Sequence, residues 1–398
     1  MSAEWVSSHR ALSDVADVVG GVTLGRTVPD GASVELPYLR VANVQDGYID
    51  TSEMKTVRVL KSEVGRFALQ RGDVLLTEGG DFDKLGRGAV WDGRLEPCLH
   101  QNHVFRVRCN PDVLIPEYLA TYMASKHGRR YFLSIAKQTT NLATISSSDL
   151  KSAPVPLRPI AEQQYIVDAL SAIGEEERAI YASIAKWEII EEGLSESLLE
   201  GVSSEGLSTV GDLGAVTTGM TPPASWDVRG VGKGIPLITP SQVSGRGEIG
   251  IAERGISTDH RNDVRAISAR TTLAVCIGFG IGKVALSDSE CCTNQQINSV
   301  TPFPEMDPRF VYLSVKRAMR QARARANLQV TPIINKKDFS ALAVAVPDRM
   351  EQRRIADAVW AVRGRQSLLR AESVKLRKLK QGLTDDLLSG KLHLRYVA

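Results

Sequence analysis

The chain repeats itself in register, and this limits its fold more than any other property. Residues 145–201 match residues 334–390 without a gap at an offset of 189. The first copy holds Glu162-Gln163-Gln164-Tyr165-Ile166-Val167-Asp168-Ala169, the second Glu351-Gln352-Arg353-Arg354-Ile355-Ala356-Asp357-Ala358. Farther on, Gly193-Leu194-Ser195-Glu196-Ser197-Leu198-Leu199 lines up with Gly382-Leu383-Thr384-Asp385-Asp386-Leu387-Leu388. Upstream the likeness needs gaps: Leu36-Pro37-Tyr38-Leu39 resembles Ile235-Pro236-Leu237-Ile238, and Leu85-Gly86-Arg87-Gly88-Ala89-Val90 resembles Ile281-Gly282-Lys283-Val284-Ala285-Leu286. The order implied is globular unit, helix, globular unit, helix. A plain duplicated enzyme is the simplest alternative, because duplication alone does not say what the units bind.

Each ungapped copy carries apolar residues at alternating steps of four and three. In the first they are Ile166, Leu170, Ile173, Ile180, Ile184, Trp187, Leu194 and Leu198, with Glu177 and Glu191 in two of the slots. In the second they are Ile355, Val359, Val362, Leu369, Leu376, Leu383 and Leu387, with Gln366, Ser373 and Lys380 in the polar slots. A sustained spacing of ~3.5 residues is a coiled-coil seam. It predicts helices of about 35–40 residues, roughly 50–60 Å long. Residues 174–205 hold nine acids and two bases, net −7, whereas residues 363–398 hold nine bases and three acids, net +6. Opposite charge beside two seams favours pairing within the chain and disfavours pairing of like with like. Two unrelated solvated helices are the competing reading. Antiparallel pairing would relate the globular units by a pseudo-two-fold axis. Gly193 and Gly382 each cost around 1 kcal/mol against Ala in a helix and read as close backbone approach or a kink.

At 398 residues the chain is expected to hold two or three domains. No apolar run approaches the ~18 residues of a membrane span. Residues 1–20 carry Glu4, Arg10, Asp14 and Asp17 without an apolar stretch, so secretion is not expected and a cytoplasmic location is. The five cysteines form no CxxC and leave an odd one over, which suits reduced thiols rather than a disulfide or zinc framework. The six histidines show no metal spacing. A net charge of +3 is nearly neutral, so any basic face must be local.

Both globular units read as mixed α/β. Pro37 to Val41, Asp73 to Thr77, Ala89 to Trp91 and His103 to Val107 predict strands, and Pro116 to Met123 a helix with Pro in its first turn. Gly79 to Gly86 is a polar, glycine-rich loop. The second unit repeats the order with Leu273 to Ile277, the loop Gly278 to Lys283, Val284 to Leu286, and a helix from Pro308 to Arg325.

Several of these stretches resemble the specificity (S) subunit of type I restriction–modification enzymes. They are Tyr38-Leu39-Arg40-Val41-Ala42-Asn43-Val44-Gln45-Asp46-Gly47, Gly72-Asp73-Val74-Leu75-Leu76, Gln138-Thr139-Thr140-Asn141-Leu142 with Ile145, and Pro154 to Gln163 ahead of the helix. Ile333 to Phe339 with Glu351-Gln352 is the second instance. The likeness covers essentially the whole chain. The second half departs from it, having Arg270-Thr271-Thr272 in place of the Gly-Asp pair and keeping only Pro347 of the proline cluster, which blurs its strand boundaries.

The resemblance implies an α+β chain. Its parts are a first target-recognition domain (1–158), a first helix (159–203), a second target-recognition domain (204–347) and a second helix (348–398), the helices forming an antiparallel coiled coil. Each recognition domain would read one half of a split, asymmetric site in double-stranded DNA. The helices would act as spacer and as docking surface for two methyltransferase subunits, and restriction translocase subunits would join that core. S-adenosylmethionine, ATP and magnesium would bind those partners, with no cofactor, metal or catalytic residue on this chain. Cytoplasmic location and absence from the membrane follow from the same reading.

DNA recognition needs cations for phosphates and side chains that reach base edges. The strongest basic run is Lys316, Arg317, Arg320, Arg323 and Arg325, followed by Asn327; positions 316, 320 and 323 share a helix face. A solvated helix face is the bland reading. In the first unit Lys137 precedes Gln138 and Asn141. The glycine-rich loops bring Lys84 and Arg87 in one unit and Lys283 in the other, although ordinary hairpin turns explain the glycines equally well. Gln101-Asn102-His103 and Asn294-Gln295-Gln296 are polar clusters at matching places; they either read bases or satisfy buried backbone groups. Rival chemistry is thin. Gly278 to Lys283 lacks the spacing of a phosphate-binding loop, and Asp30 with Glu53 and Lys55 resembles a nuclease metal site only loosely. No Asn-Pro-Pro-aromatic stretch supports methylation by this chain. A free-standing nuclease or DNA-modifying enzyme, and an orphan nucleic-acid-binding scaffold, are the alternatives.

Overall fold

The computed structural model describes residues 8–80, 85–138, 143–202, 208–228, 232–325 and 333–392, with Ser8, Gly80, Gln138 and Arg325 described by backbone alone. It divides into two compact units, one of residues 1–181 with 371–398 and one of residues 182–370.

In the first unit an antiparallel sheet runs in the order Ala16–Gly20, Val104–Cys109, Val74–Thr77, Gly88–Val90. A second sheet sets Ser33–Leu39 between Lys55–Leu60, antiparallel, and Leu99–His100, parallel. Successive side chains of a strand point to opposite faces. This explains why the strand Val74–Thr77 is buried throughout. Val74 and Leu76 join the core under the helices with Leu12, Val107, Tyr118 and Phe132, while Leu75 joins the inter-sheet core with Leu39, Trp91 and Val104. The helices Pro116–Ala124 and Lys126–Ile135 cover the outer face. Ser8–Ala11 pairs with Pro154–Leu157 and so closes the unit just ahead of the long helix.

The second unit has the same order: Gly214–Thr218, Ile297–Pro302, Thr272–Val275, Val284–Leu286, with a second sheet of Asp227–Val228, Arg254–Ile256, Ile235–Ile238 and Cys292–Thr293. Leu273 and Val275 face one core, Ala274 the other. The boundaries that the missing Gly-Asp pair blurs are thus sharp. Arg270 takes the left-handed conformation (φ 65) just before its strand, as Gly72 (φ 91) does before Val74.

The expected strand from Pro37 to Val41 stops early, at Leu39, and Val41–Asn43 is a 3-10 turn. The cause is Asn43, which is buried. Its Oδ1 accepts the Arg40 N–H at 2.9 Å, and its amide donates to the Asp50 and Glu53 carbonyls. The strand expected from His103 starts at Val104, because residues 101–104 close a turn through the Val104 N–H and the Gln101 carbonyl.

The long helices span Ile160–Glu200 and Arg349–Ser389, each 41 residues, and both of their ends respect the sequence offset. Every seam position named above is buried or half-buried, the polar slots included. In the first unit Ile166 and Leu170 pack with Leu383, Leu387 and Leu388; in the second, Leu194, Leu198 and Leu199 pack with Ile355 and Val359. Both helices run unbroken through Gly193 and Gly382, and a β-carbon at either would meet open space. Close backbone approach is therefore not their role. No helix among the described residues is long and apolar enough to cross a membrane. The five cysteines are unbonded, and burial pushes the Cys98 thiol up to about 12.

Two predictions follow from this packing. Gly193→Ala and Gly382→Ala should each raise stability by about 1 kcal/mol in chemical denaturation, since helix propensity rises and nothing clashes. His100 is fully buried, with Nδ1 at 2.7 Å from the Val104 carbonyl and Nε2 unpartnered. Burial foremost, and the Arg106 and Arg108 charges after it, hold its pKa down at about 4. The folded imidazole thus stays neutral where the unfolded one protonates. Stability is full above about pH 6.5 and is lost as pH falls toward 4, by about 3 kcal/mol in all. His100→Thr, the residue found at the matching Thr293, should flatten this acid limb in urea titrations between pH 7 and 4.5.

Candidate nucleic-acid interface

In each unit one residue at the end of a central strand ties three segments together by backbone alone. In the first unit it is Glu78. Its N–H donates to the His103 carbonyl at 3.0 Å and its carbonyl accepts the Ile145 N–H at 2.8 Å. In the second unit it is Cys276, whose N–H donates to the Gln296 carbonyl and whose carbonyl accepts the Ile334 N–H, both at 2.8 Å. The glycine-rich loop, the polar turn and the returning segment after the helices thus converge at one rim in each unit, although they lie far apart in sequence.

At the first rim the strand Gly79–Gly80 pairs with Ala143–Thr144, which pairs with Lys137–Gln138. Lys137 is exposed there. Gln101 and Asn102 hold their turn through backbone bonds to Leu39 and Val22, so their side chains are not what satisfies it. Arg87 donates to the Gln45 side chain at 3.1 Å, and Arg129 pairs with Asp46 at 2.7 Å. His103 and Glu78 form a short side-chain pair. Lys84 and Asn141 lie outside the described residues, as does the side chain of Gln138.

At the second rim Arg323 and Gln296 reach the glycine loop, at Gly282 and Gly278, and Lys283 ends that loop. Gly282 (φ 89) turns the loop, and the stem of Arg323 lies 3.1 Å from where a β-carbon on Gly282 would sit, so glycine is required twice over. Gln295 accepts from the Thr221 hydroxyl, and Asn294 folds onto Gln296 with its amide at 2.9 Å. Asn327 and the side chain of Arg325 lie outside the described residues.

Arg320 does not join this rim. It pairs with Glu192 and Glu196, while Arg317 bonds Glu196 at 2.7 Å and the Leu199 carbonyl at 3.0 Å, and Lys316 approaches Glu191 at 3.7 Å. The acidic stretch draws this face of the Pro308–Arg325 helix toward it. Arg323, one turn on, turns to the glycine loop. The two positions expected to act together on one face thus have different neighbours. Asp30 and Glu53, singled out for a metal site, are paired with Arg58 and Arg40.

Sequence reasoning gave Gln45 and Asp46 no part in the site; they gain their place only through long-range pairing with Arg87 and Arg129. It also passed over Phe279, whose signal was an aromatic residue between two glycines. The chemistry gathered at each rim is amides and cations on short loops, suited to phosphate oxygens and base edges.

The model of the type I restriction modification DNA specificity domain matches residues 4–186 and again residues 206–372. The chain belongs to this family. The two matches cover one globular half each and run into the helix that follows. Among relatives of the specificity-domain chain, a putative type I restriction enzyme MjaX specificity subunit of Methanocaldococcus jannaschii is 22% identical over 97% of this chain and 93% of its own length. The fold is similar to a chain from a type I R-M system solved to study complex assembly and conformational transition (TM-score 0.62, 17% identity, 97% and 98% of the two chains). It is also similar to the S subunit from M. genitalium (TM-score 0.58, 14% identity, 97% of each chain).

Proposed function

We propose that this chain is the recognition and assembly subunit of a type I restriction–modification complex and itself catalyses nothing. On this reading residues 1–158 and 204–347 each read one half of a bipartite, asymmetric duplex DNA site. The observation that carries it is the doubled rim, built around Glu78 and Cys276 within a chain that matches the family model twice. Unlike side chains on like frames suit two unlike half-sites. The residues that would meet DNA are Arg87, Gln101, Asn102, Lys137 and Gln138 in the first unit and Lys283, Gln295, Gln296 and Arg323 in the second. Lys84, Asn141, Arg325 and Asn327 are added on the sequence alone, since they or their side chains lie outside the described residues. Arg320 is a brace to the acidic helix.

The helices at 159–203 and 348–398 form, on this reading, an antiparallel coiled coil that sets the gap between half-sites. Two methyltransferase subunits dock on it, restriction translocase subunits join, and S-adenosylmethionine, ATP and magnesium reside on those partners. Support comes from the polar seam slots. Glu177 meets Lys380 at 3.4 Å in one unit and Glu191 meets Gln366 at 3.0 Å in the other. Fourteen residues separate the two glutamates, and fourteen separate their partners in the reverse direction, so a single antiparallel register suits both pairs. Buried polar positions are a known means of fixing register in coiled coils.

Mixing the chain with the methyltransferase encoded beside it should give a complex with two methyltransferases per chain by native mass. Adding one heptad at matched positions of both helices should lengthen the spacer of the methylated site. A methylated spacer that stays the same would refute the ruler role. In that complex, Lys283→Ala or Arg323→Ala should reduce the slope of log K against log salt by about one unit each. Arg320→Ala should leave the slope alone and cost at most about 1 kcal/mol of stability. Fluorescence anisotropy across a salt series separates these outcomes.

A further inference from the structure

Phe279 is fully exposed at the tip of the second unit's glycine loop. The loop beneath it is firmly built. The Ile281 N–H donates to the Gly278 carbonyl at 3.0 Å, the Gly282 N–H to the Val275 carbonyl at 3.0 Å and the Lys283 N–H to the Gly280 carbonyl at 3.2 Å, while the Ile281 side chain is buried in the core. A ring held wholly in water on so firm a tip offers its full area to a partner. Its surroundings identify the partner. The same loop ends in Lys283, the stem of Arg323 lies against Gly282 and the Gln296 amide against Gly278, while Ile333, bridged to Ile277, is an exposed apolar neighbour. Cations and amides around one ring match phosphates and base edges around a base stack.

We propose that Phe279 is a specificity-determining wedge that enters the duplex at one base step of the half-site read by the second unit and unstacks it. Apolar side chains that insert in this way kink DNA and add selectivity for steps that unstack easily. The inference rests on the recognition role proposed above. The first unit's loop carries Phe82 by sequence, outside the described residues.

The test uses the assembled methyltransferase complex and duplexes of its target, read from methylated genomic DNA. 2-Aminopurine replaces the bases of each half-site in turn, apart from the adenine that is methylated. The wild type should raise fluorescence at one step of one half-site. Phe279→Ala should abolish that rise and weaken binding roughly tenfold, Phe279→Trp should keep it, and neither should alter thermal unfolding. A complex that methylates its site with no such rise, or that keeps it in Phe279→Ala, overturns the wedge alone. Weaker assembly with the methyltransferase in Phe279→Ala assigns the ring to a protein contact and also overturns it. A chain that supports no methylation sinks the parent reading together with the wedge.

Discussion

Gln163 and Gln352 place a neutral amide where each globular core meets the start of a long helix. The Gln163 carbonyl oxygen accepts the Ile115 N–H at 2.9 Å, and its amide donates to the Val113 and Arg158 carbonyls at 2.8 Å. Gln352 accepts from the Asp307 N–H at 2.9 Å and donates to the Pro347 carbonyl at 3.0 Å. Both are buried. Only an amide can give and take in this way without bringing a charge into the core, and an orphaned group there costs about 1–3 kcal/mol. Glutamate would lose the donor half, and asparagine is one methylene short. With the helix start fixed, the direction of the seam is fixed too, so that Ile166 and Ile355 enter the cores. The repeated Glu-Gln in the sequence is thus a structural joint.

The seams then trade stability for definition. Glu191 sits buried among Gln366, Arg363 and Lys316, and Glu177 faces Arg377 and Lys380. An apolar residue at each position would pack at least as well, since buried ion pairs recover their desolvation cost poorly. A purely apolar seam, however, could slip by a heptad with little penalty. A slip by one heptad would set Glu177 and Glu191 against Leu387 and Ser373, or against Ser373 and Val359, none of them a cation.

The existence and starts of the helices were legible in the sequence, because a period of about 3.5 residues and an ungapped repeat are local properties; the second ends at Ser389, short of the expected 398. The central strands were legible as apolar runs. Convergence of the rims was not. Nothing near Glu78 in sequence shows that its carbonyl meets Ile145, and Cys276 shares no side-chain chemistry with it. Helix-face arithmetic placed Arg320 and Arg323 together, but it could not say which neighbour each would meet. The acidic stretch that claims Arg320 lies over a hundred residues earlier. Arg270 hid the equivalence to Gly72 because the shared property is a backbone angle, not a side chain.

The same distinction explains how the two units can share a frame and differ in surface. At both rims the joining bonds run between backbone atoms: Glu78 to His103 and Ile145, Cys276 to Gln296 and Ile334. Backbone groups are present whatever the side chain, so these positions can change residue without breaking the joint. Where side chains do hold the architecture, as at Gln163 and Gln352, the two halves keep the same residue. Where they line the rim and bond only to one another or to nearby loops, the halves diverge: Gln101-Asn102-His103 against Asn294-Gln295-Gln296, and Arg87 against Lys283. Variation thus falls where it costs the fold little and where it would change what a nucleic acid meets.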